Sequence, residues 1–249
     1  MTVMSAIQVV PAESRMHTQI GWLDSYHSFS FGEHYDPSNT HHGLLLVSND
    51  DRVAPGRGFS THPHRDMEII TWVLEGALRH EDSIGTNDVI TPGLAQRMSA
   101  GSGIRHSEVN ASATEPVHLI QMWVVPDTAG LTPEYEQVDV SDRLAAGGLF
   151  ALASGGREPD AAIAIHQRDA TLWVGRLSAG EEATIPDAPF VHVFVAVGSA
   201  SFGSDSQPLA EGDAVRLTQA GSQGLRAGPE GAEIIVWETH ATVDTLNLS

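Results

Sequence analysis

The chain has 249 residues, 41% of them hydrophobic, and a formal net charge of −19 at pH 7, with all 13 basic residues arginine. Such an acidic surface repels phosphate backbones and argues against direct nucleic-acid binding; the absence of cysteine excludes disulfides, zinc fingers, iron–sulfur clusters and thiol catalysis. No apolar run is long enough to span a membrane and MTVMSAIQVVPAES is no secretory signal, so the expectation is a soluble, cytoplasmic protein with no membrane partner.

Gly 24 and Pro 13 suit a chain of many turns, either one large all-β domain or two of about 120 residues. Residues 3–10 (VMSAIQVV) predict an edge strand. Residues 21–37 (GWLDSYHSFSFGEHYDP) alternate in part, are rich in aromatics and close on the Asp36-Pro37 turn. His41 and His42 fall in a polar loop as solvated side chains. A short apolar strand at 43–48 follows, then turns at Asn49-Asp50-Asp51 and Pro55-Gly56.

Residues 58–76 (GFSTHPHRDMEIITWVLEG) organise the rest. His62 and His64 stand at i and i+2, and so do His106 and Glu108 in AGSGIRHSEV. On strands that spacing puts both members of a pair on one face. Two such strands side by side bring three imidazoles and one carboxylate to one point, a metal site. With no thiolate among them, the donors suit iron, manganese, nickel, cobalt or copper. Glu68 lies at even offsets from His62 and His64, so an unbroken strand would put it on the ligand face, as an acceptor that orients a ligand histidine rather than as a ligand.

Ala77 to Glu81 continues as a strand, and 83–88 (SIGTND) is a hairpin loop. Pro92-Gly93 marks a turn, and the small residues of MSAGSG let the backbone curl before Ile104. Val117 to Val125 reads as a buried strand with His118 a hydrogen-bonded core histidine, and a linker runs from Pro126 to about Gln137. Val140 to Ala146 is the best helical candidate. Strands are predicted at 170–177, 191–197 and 233–238. The echoes of Trp72–Gly76 at Val193–Gly198 and of Pro92-Gly93 near Asp213 suggest a duplicated barrel. Where a second ligand pair should fall stands EEATIPDAP. His166, His192 and His240 are scattered, so the second half is expected to bind no metal.

GWLDSYHSFSF, YDP, THPHRDMEIITWVLEG and MSAGSGIRHSE resemble the pirin family of bicupins, most strongly from Gly21 to Val125 and most closely its bacterial members with quercetin 2,3-dioxygenase activity. The resemblance implies an all-β fold of two jelly-roll cupin barrels packed face to face, residues 1–135 holding one metal and residues 136–249 none. It puts His62, His64, His106 and Glu108 on the four ligand positions and makes iron(II) the expected metal. It implies opening of the central ring of a flavonol with dioxygen and release of carbon monoxide; Glu108, beside the bound oxygen, is the expected acceptor of the substrate proton, and the two-barrel design makes a monomer the default expectation. A regulatory protein acting through an iron centre and a protein partner, or a cupin isomerase for another small ligand, stays open. The chain departs from the family pattern at Leu94, where an acidic residue is usual, and at Arg97, where an aromatic is common. If Arg97 borders the pocket, substrate preference shifts.

Overall fold

The computed structural model describes residues 5–246. The first half runs through β1 (Ala6–Val10), β2 (Met16–Ile20), β3 (Leu23–His27), β4 (Leu45–Val53), β5 (Gly58–His64), β6 (Glu68–Glu75), β7 (Leu78–Asp82), β8 (Asn87–Ile90), β9 (Leu94–Ser99), β10 (Ile104–Asn110), β11 (Val117–Val124) and β12 (Glu134–Asp139). After one short helix, α1 (Ser141–Ala145), come β13 (Phe150–Ser154), β14 (Ile163–Ala164), β15 (Ala170–Leu177), β16 (Glu182–Ile185), β17 (Phe190–Phe202), β18 (Gln207–Ala210), β19 (Ala214–Thr218) and β20 (Gln223–Thr239).

These strands form the expected two all-β barrels. In the first, a seven-stranded sheet (β12-β9-β6-β11-β4-β3-β2) closes over a four-stranded one (β5-β10-β7-β8). Leu23, Val53, Val73, Leu78, Ile90, Val117 and Leu119 fill the space between them. The second barrel is one nine-stranded sheet, β1-β19-β17-β20-β15-β13-β14 with β16 on β20 and β18 on β17. Its interior is packed by Val191, Val193, Val195, Ile234 and Val236.

The two barrels pack face to face. The largest apolar cluster belongs to neither alone: Ile70, Trp72, Ile120 and Met122 from the first meet Leu172, Phe194, Ile235 and Trp237 from the second. The central strands of the seven-stranded sheet are therefore buried on both faces. This is why β6 (EIITWVLE) and β11 (VHLIQMWV) read as continuous apolar runs rather than alternating ones. In β6 the even positions face the second barrel and the odd positions face the first barrel's interior. Trp72 donates to Glu233 across the interface at 2.7 Å, while Thr71 points back at Glu108. Arg176 reaches Glu233 from the other side at 2.9 Å.

Several expectations give way to tertiary pairing. The edge strand predicted at 3–10 is present as β1, with residues 1–4 outside the described residues, and it pairs with β19 of the second barrel. The linker expected up to Gln137 holds β12, a strand on β9. The turn expected at Asn49-Asp50-Asp51 is the middle of β4. These residues favour turns because their side chains satisfy local backbone groups, but here each has a cross-strand partner: Asn49 with His27, Asp51 with Ser25, Asp50 with Arg15 and His118. His118 is thus the hydrogen-bonded core histidine expected, 2.7 Å from Asp50. His41 and His42 are half-buried and paired rather than solvated: His42 Nε2 donates to Leu217 O (3.0 Å), and His41 pairs with Asp244 at 3.3 Å, both partners in the second half.

Candidate metal centre

The antiparallel pairing of β5 with β10 sets His62 opposite His106 and His64 opposite Ile104. A bulge between His106 and Glu108 then shifts the register, so that Glu108 lies opposite Phe59. Bulges re-aim side chains at sites of this kind. Gly58 sits where the strands come closest: a Cβ on it would lie 2.1 Å from Glu108 O and 2.6 Å from Val109 Cα. Only glycine allows that approach.

The side-chain nitrogens of His62, His64 and His106 lie within 4.8 Å of one another. His62 Nε2 and His106 Nε2 are 3.1 Å apart, and His62 donates its other ring nitrogen to Ser60 O at 2.8 Å. His64 Nε2 is buried and has no hydrogen-bond partner. An unpartnered buried nitrogen is costly unless something else satisfies it, and a divalent cation at the point of convergence fits that need. Burial first, then the neighbouring imidazoles, lowers His64 to about 4 and His106 to about 3, so both rings are neutral donors at pH 7. Neutral imidazoles and a carboxylate are the donor set of a first-row transition metal.

Glu108 is on the His106 side: it falls within 4.8 Å of His106 and His80, a second such group. Its carboxylate accepts from Gln121 Nε2 at 2.7 Å and, more weakly, from Thr71 Oγ1 at 3.4 Å. Trp123 donates its indole N–H to Gln121 Oε1 at 3.2 Å, which turns the Gln121 amide so that its NH2 faces Glu108. Trp123 also packs edge-on against His64, with ring centroids 4.9 Å apart. Among the described residues, these two groups of ligand-type side chains both lie in the first barrel. His166 and His240 instead pair with Glu134 and Glu238, and His192 is buried against Phe29.

The site opens into a cavity of ≈ 720 Å³. His62, His64 and Glu108 line it together with the apolar Trp22, Phe31, Phe59 and Trp123, and Ser25, Asn49 and Asp51 add polar groups. That size and lining suit a small, flat, mainly aromatic ligand. Burial, with the charges of Asp50 and Glu108 and against Ser25's hydrogen bond, raises Asp51 to about 7.

One expectation is corrected, and one condition is not met. Glu68 does not orient a ligand histidine; it accepts from Ser99 Oγ at 2.8 Å and from the His166 backbone at 3.2 Å. The strand breaks between His64 and Glu68, at Asp66 with φ 48°, so the even offset no longer tells which face Glu68 takes. Arg97 does not border the cavity. It faces the second barrel, bonding Ala164 O and Ser99 and pairing with Glu136 at 3.0 Å. Four residues at the site, Gln121, Trp123, His80 and Asp82, lie outside the motif residues. For the last two a signal was there: LRHED carries the same i, i+2 spacing on a strand as the ligand pairs.

Residues 9–124 match the family model described as Pirin, and residues 152–238 the one described as Quercetinase C-terminal cupin domain. A Mycobacterium tuberculosis protein named "Putative quercetin 2,3-dioxygenase" is 54% identical over 237 residues, 95% of this chain and 96% of that protein. Quercetin 2,3-dioxygenase of Escherichia coli K12 is 53% identical over 126 residues, 51% of this chain and 54% of that one. The crystal structure of the bacterial pirin YhhW from Escherichia coli in complex with nickel(II) superposes with a TM-score of 0.86 at 34% identity, covering 96% of this chain and 100% of that one. With two cupin barrels matched in order along nearly its whole length, the chain belongs to the pirin family.

Proposed function

We propose that this protein is a metal-dependent dioxygenase of quercetin or a related flavonol, with one divalent transition metal held by His62, His64, His106 and Glu108. Iron(II) is the first choice, and manganese, nickel, cobalt and copper accept the same donors. The observation that carries the reading is the convergence of three imidazoles, one with a buried unpartnered nitrogen, beside a cavity lined by aromatics. The names of the relatives supply the substrate class and dioxygen as co-substrate.

When bound, the metal supplies Lewis acidity toward the adjacent hydroxyl and carbonyl oxygens of the flavonol. The protein does the rest. Trp22, Phe31, Phe59 and Trp123 pack against the flat ring system by face and by edge and exclude water. Glu108 accepts the 3-hydroxyl proton. Of the four donors only a carboxylate keeps lone pairs for that while serving as ligand, since an imidazole has its second nitrogen turned away. Gln121 holds the carboxylate in place, and Trp123 holds Gln121. The flavonol anion and dioxygen then give the ring-opened ester as its carboxylate anion and carbon monoxide, and Glu108 returns the proton it took to solvent.

The test is quercetin consumption with and without dioxygen and with and without metal, on wild type and Glu108→Gln. The expected result is turnover that needs both, and a Glu108→Gln protein that keeps its metal and loses about 100- to 10,000-fold in rate, the usual range for general-base help. Metal binding with no oxygen-dependent turnover would replace this reading with that of a metal-dependent binding protein. A metal-loaded Glu108→Gln variant at the wild-type rate would remove Glu108 as the base.

A further inference from the structure

We propose that Asp82 and His80 form a positioning pair that fixes which nitrogen His106 offers to the metal and how its ring is held. The inference rests on the metal-centre reading above, but concerns residues outside the ligand set.

The two residues sit on β7, which pairs with β10 so that Asp82 lies opposite His106 and His80 opposite Glu108. All four side chains share the interior face. Both side chains of the pair are fully buried, and neither lines the cavity. Tyr135 covers the His80 ring, centroids 4.8 Å apart.

The hydrogen bonds form a chain with one consistent direction. Asp82 Oδ1 accepts from the backbone N–H groups of Ile84 and Thr86, each at 3.0 Å, and Oδ2 faces His80 Nε2 at 3.1 Å. Donors at every turn suit an ionised carboxylate, which can only accept. His80 Nε2 therefore carries a hydrogen, and in the neutral tautomer this selects, His80 Nδ1 keeps its lone pair. That lone pair faces His106 Nδ1 at 3.5 Å, so His106 Nδ1 carries the hydrogen. His106 Nε2 then has its lone pair free, and it is this nitrogen that stands 3.1 Å from His62 Nε2 at the point of convergence. Each step follows from the one before, starting at two loop N–H groups well outside the site. His80 also falls in a group with His106 and Glu108 that could itself hold a metal. Both of its nitrogens are already engaged, one by Asp82 and one by His106, which makes it a support for the ligand rather than a ligand. Carboxylate–histidine support of this kind orients a ligand and raises its basicity, and its removal costs about 10- to 100-fold in metal affinity.

The experiment measures nickel(II) affinity by chelator competition for wild type, His80→Phe, His80→Gln and Asp82→Asn, with ring-nitrogen NMR of the metal-free wild type. His80→Phe keeps the ring but no acceptor, and should lose about 10- to 100-fold in affinity. His80→Gln offers an amide oxygen to His106 Nδ1–H, and should recover most of that loss. Asp82→Asn can keep its loop bonds through oxygen while presenting NH2 to His80. This reverses the chain, sets two N–H groups against each other at His80 and His106, and should weaken binding as His80→Phe does. A purely structural role would not make glutamine restore what phenylalanine loses. The NMR should show hydrogen on His80 Nε2 and on His106 Nδ1. Should His80→Phe fail to fold, Asp82→Asn and the wild-type spectrum decide. Wild-type nickel(II) binding with equal affinity in folded His80→Phe or Asp82→Asn, or hydrogen on His80 Nδ1 in the spectrum, would overturn the positioning role alone. A wild type that binds no nickel(II) would overturn the metal-centre reading, and this one with it.

Discussion

Replacing Gly58 with alanine should break the candidate site without touching any of its donor atoms. The added methyl would sit 2.1 Å from Glu108 O, 2.6 Å from Val109 Cα and 3.0 Å from Glu108 C. All three are backbone atoms of the facing strand, so no side-chain rotation relieves the contact. Reaching an ordinary separation of about 3.5 Å would need β5 and β10 to part by more than ~1 Å. Overpacking a fitted interior costs about 1–3 kcal/mol, and an unyielding backbone contact belongs at the upper end. The same movement pulls His62 and His64 away from His106, whereas metal–ligand distances hold to within about 0.2 Å. The expected outcome is a folded protein, destabilised by about 2–3 kcal/mol, whose nickel(II) affinity falls by about 100-fold or more, equivalent to about 2.8 kcal/mol. Urea unfolding and chelator competition measure the two effects. Gly21→Ala is the control, since nothing lies within 4 Å of a Cβ there. A Gly58→Ala protein within about 0.5 kcal/mol of wild type and with unchanged affinity would refute the reasoning.

Trp72→Phe removes the indole N–H that Glu233 accepts at 2.7 Å in the buried interface; losing a hydrogen bond to a charged group should cost about 1.5–3 kcal/mol in urea unfolding. Asp51→Asn should change the pH dependence of stability. The Asp51 carboxyl is raised to about 7 from the ordinary 3.8, so between those values the native state holds a proton the unfolded chain has released. Its contribution therefore favours the native state at low pH and is lost as pH rises to about 7. The asparagine variant should be less sensitive to pH across that window and gain stability relative to wild type at pH 8; parallel curves for the two proteins would contradict the burial argument. Saturating nickel(II) at about 100 times its dissociation constant should stabilise the wild type by about 2.7 kcal/mol, and a His62→Ala, His64→Ala double variant should show no such gain in a thermal-unfolding titration.

Much of the molecule can be read from the chain alone because it depends on short-range periodicity. The i, i+2 pairs His62/His64 and His106/Glu108 need only extended backbone to share a face, and both pairs lie on strands. Strands at 170–177 and the short helix near 140–146 likewise follow from local pattern. Tertiary structure decided the rest, for reasons of distance and continuity. Glu68 took the opposite direction because one residue in a left-handed conformation, Asp66, breaks the strand across which its parity was counted. Asn49, Asp50 and Asp51 became strand residues because partners on β3 and β11 and just before β2 satisfy side chains that would otherwise bend the local backbone. β1 joined the second barrel because its partner lies some 200 residues away, beyond any local pattern. His80 and Asp82 share the spacing of the ligand pairs, yet spacing alone does not say which strand stands next to which. Their place beside His106 comes from the pairing of β7 with β10, and pairing is set by the packing of the whole barrel.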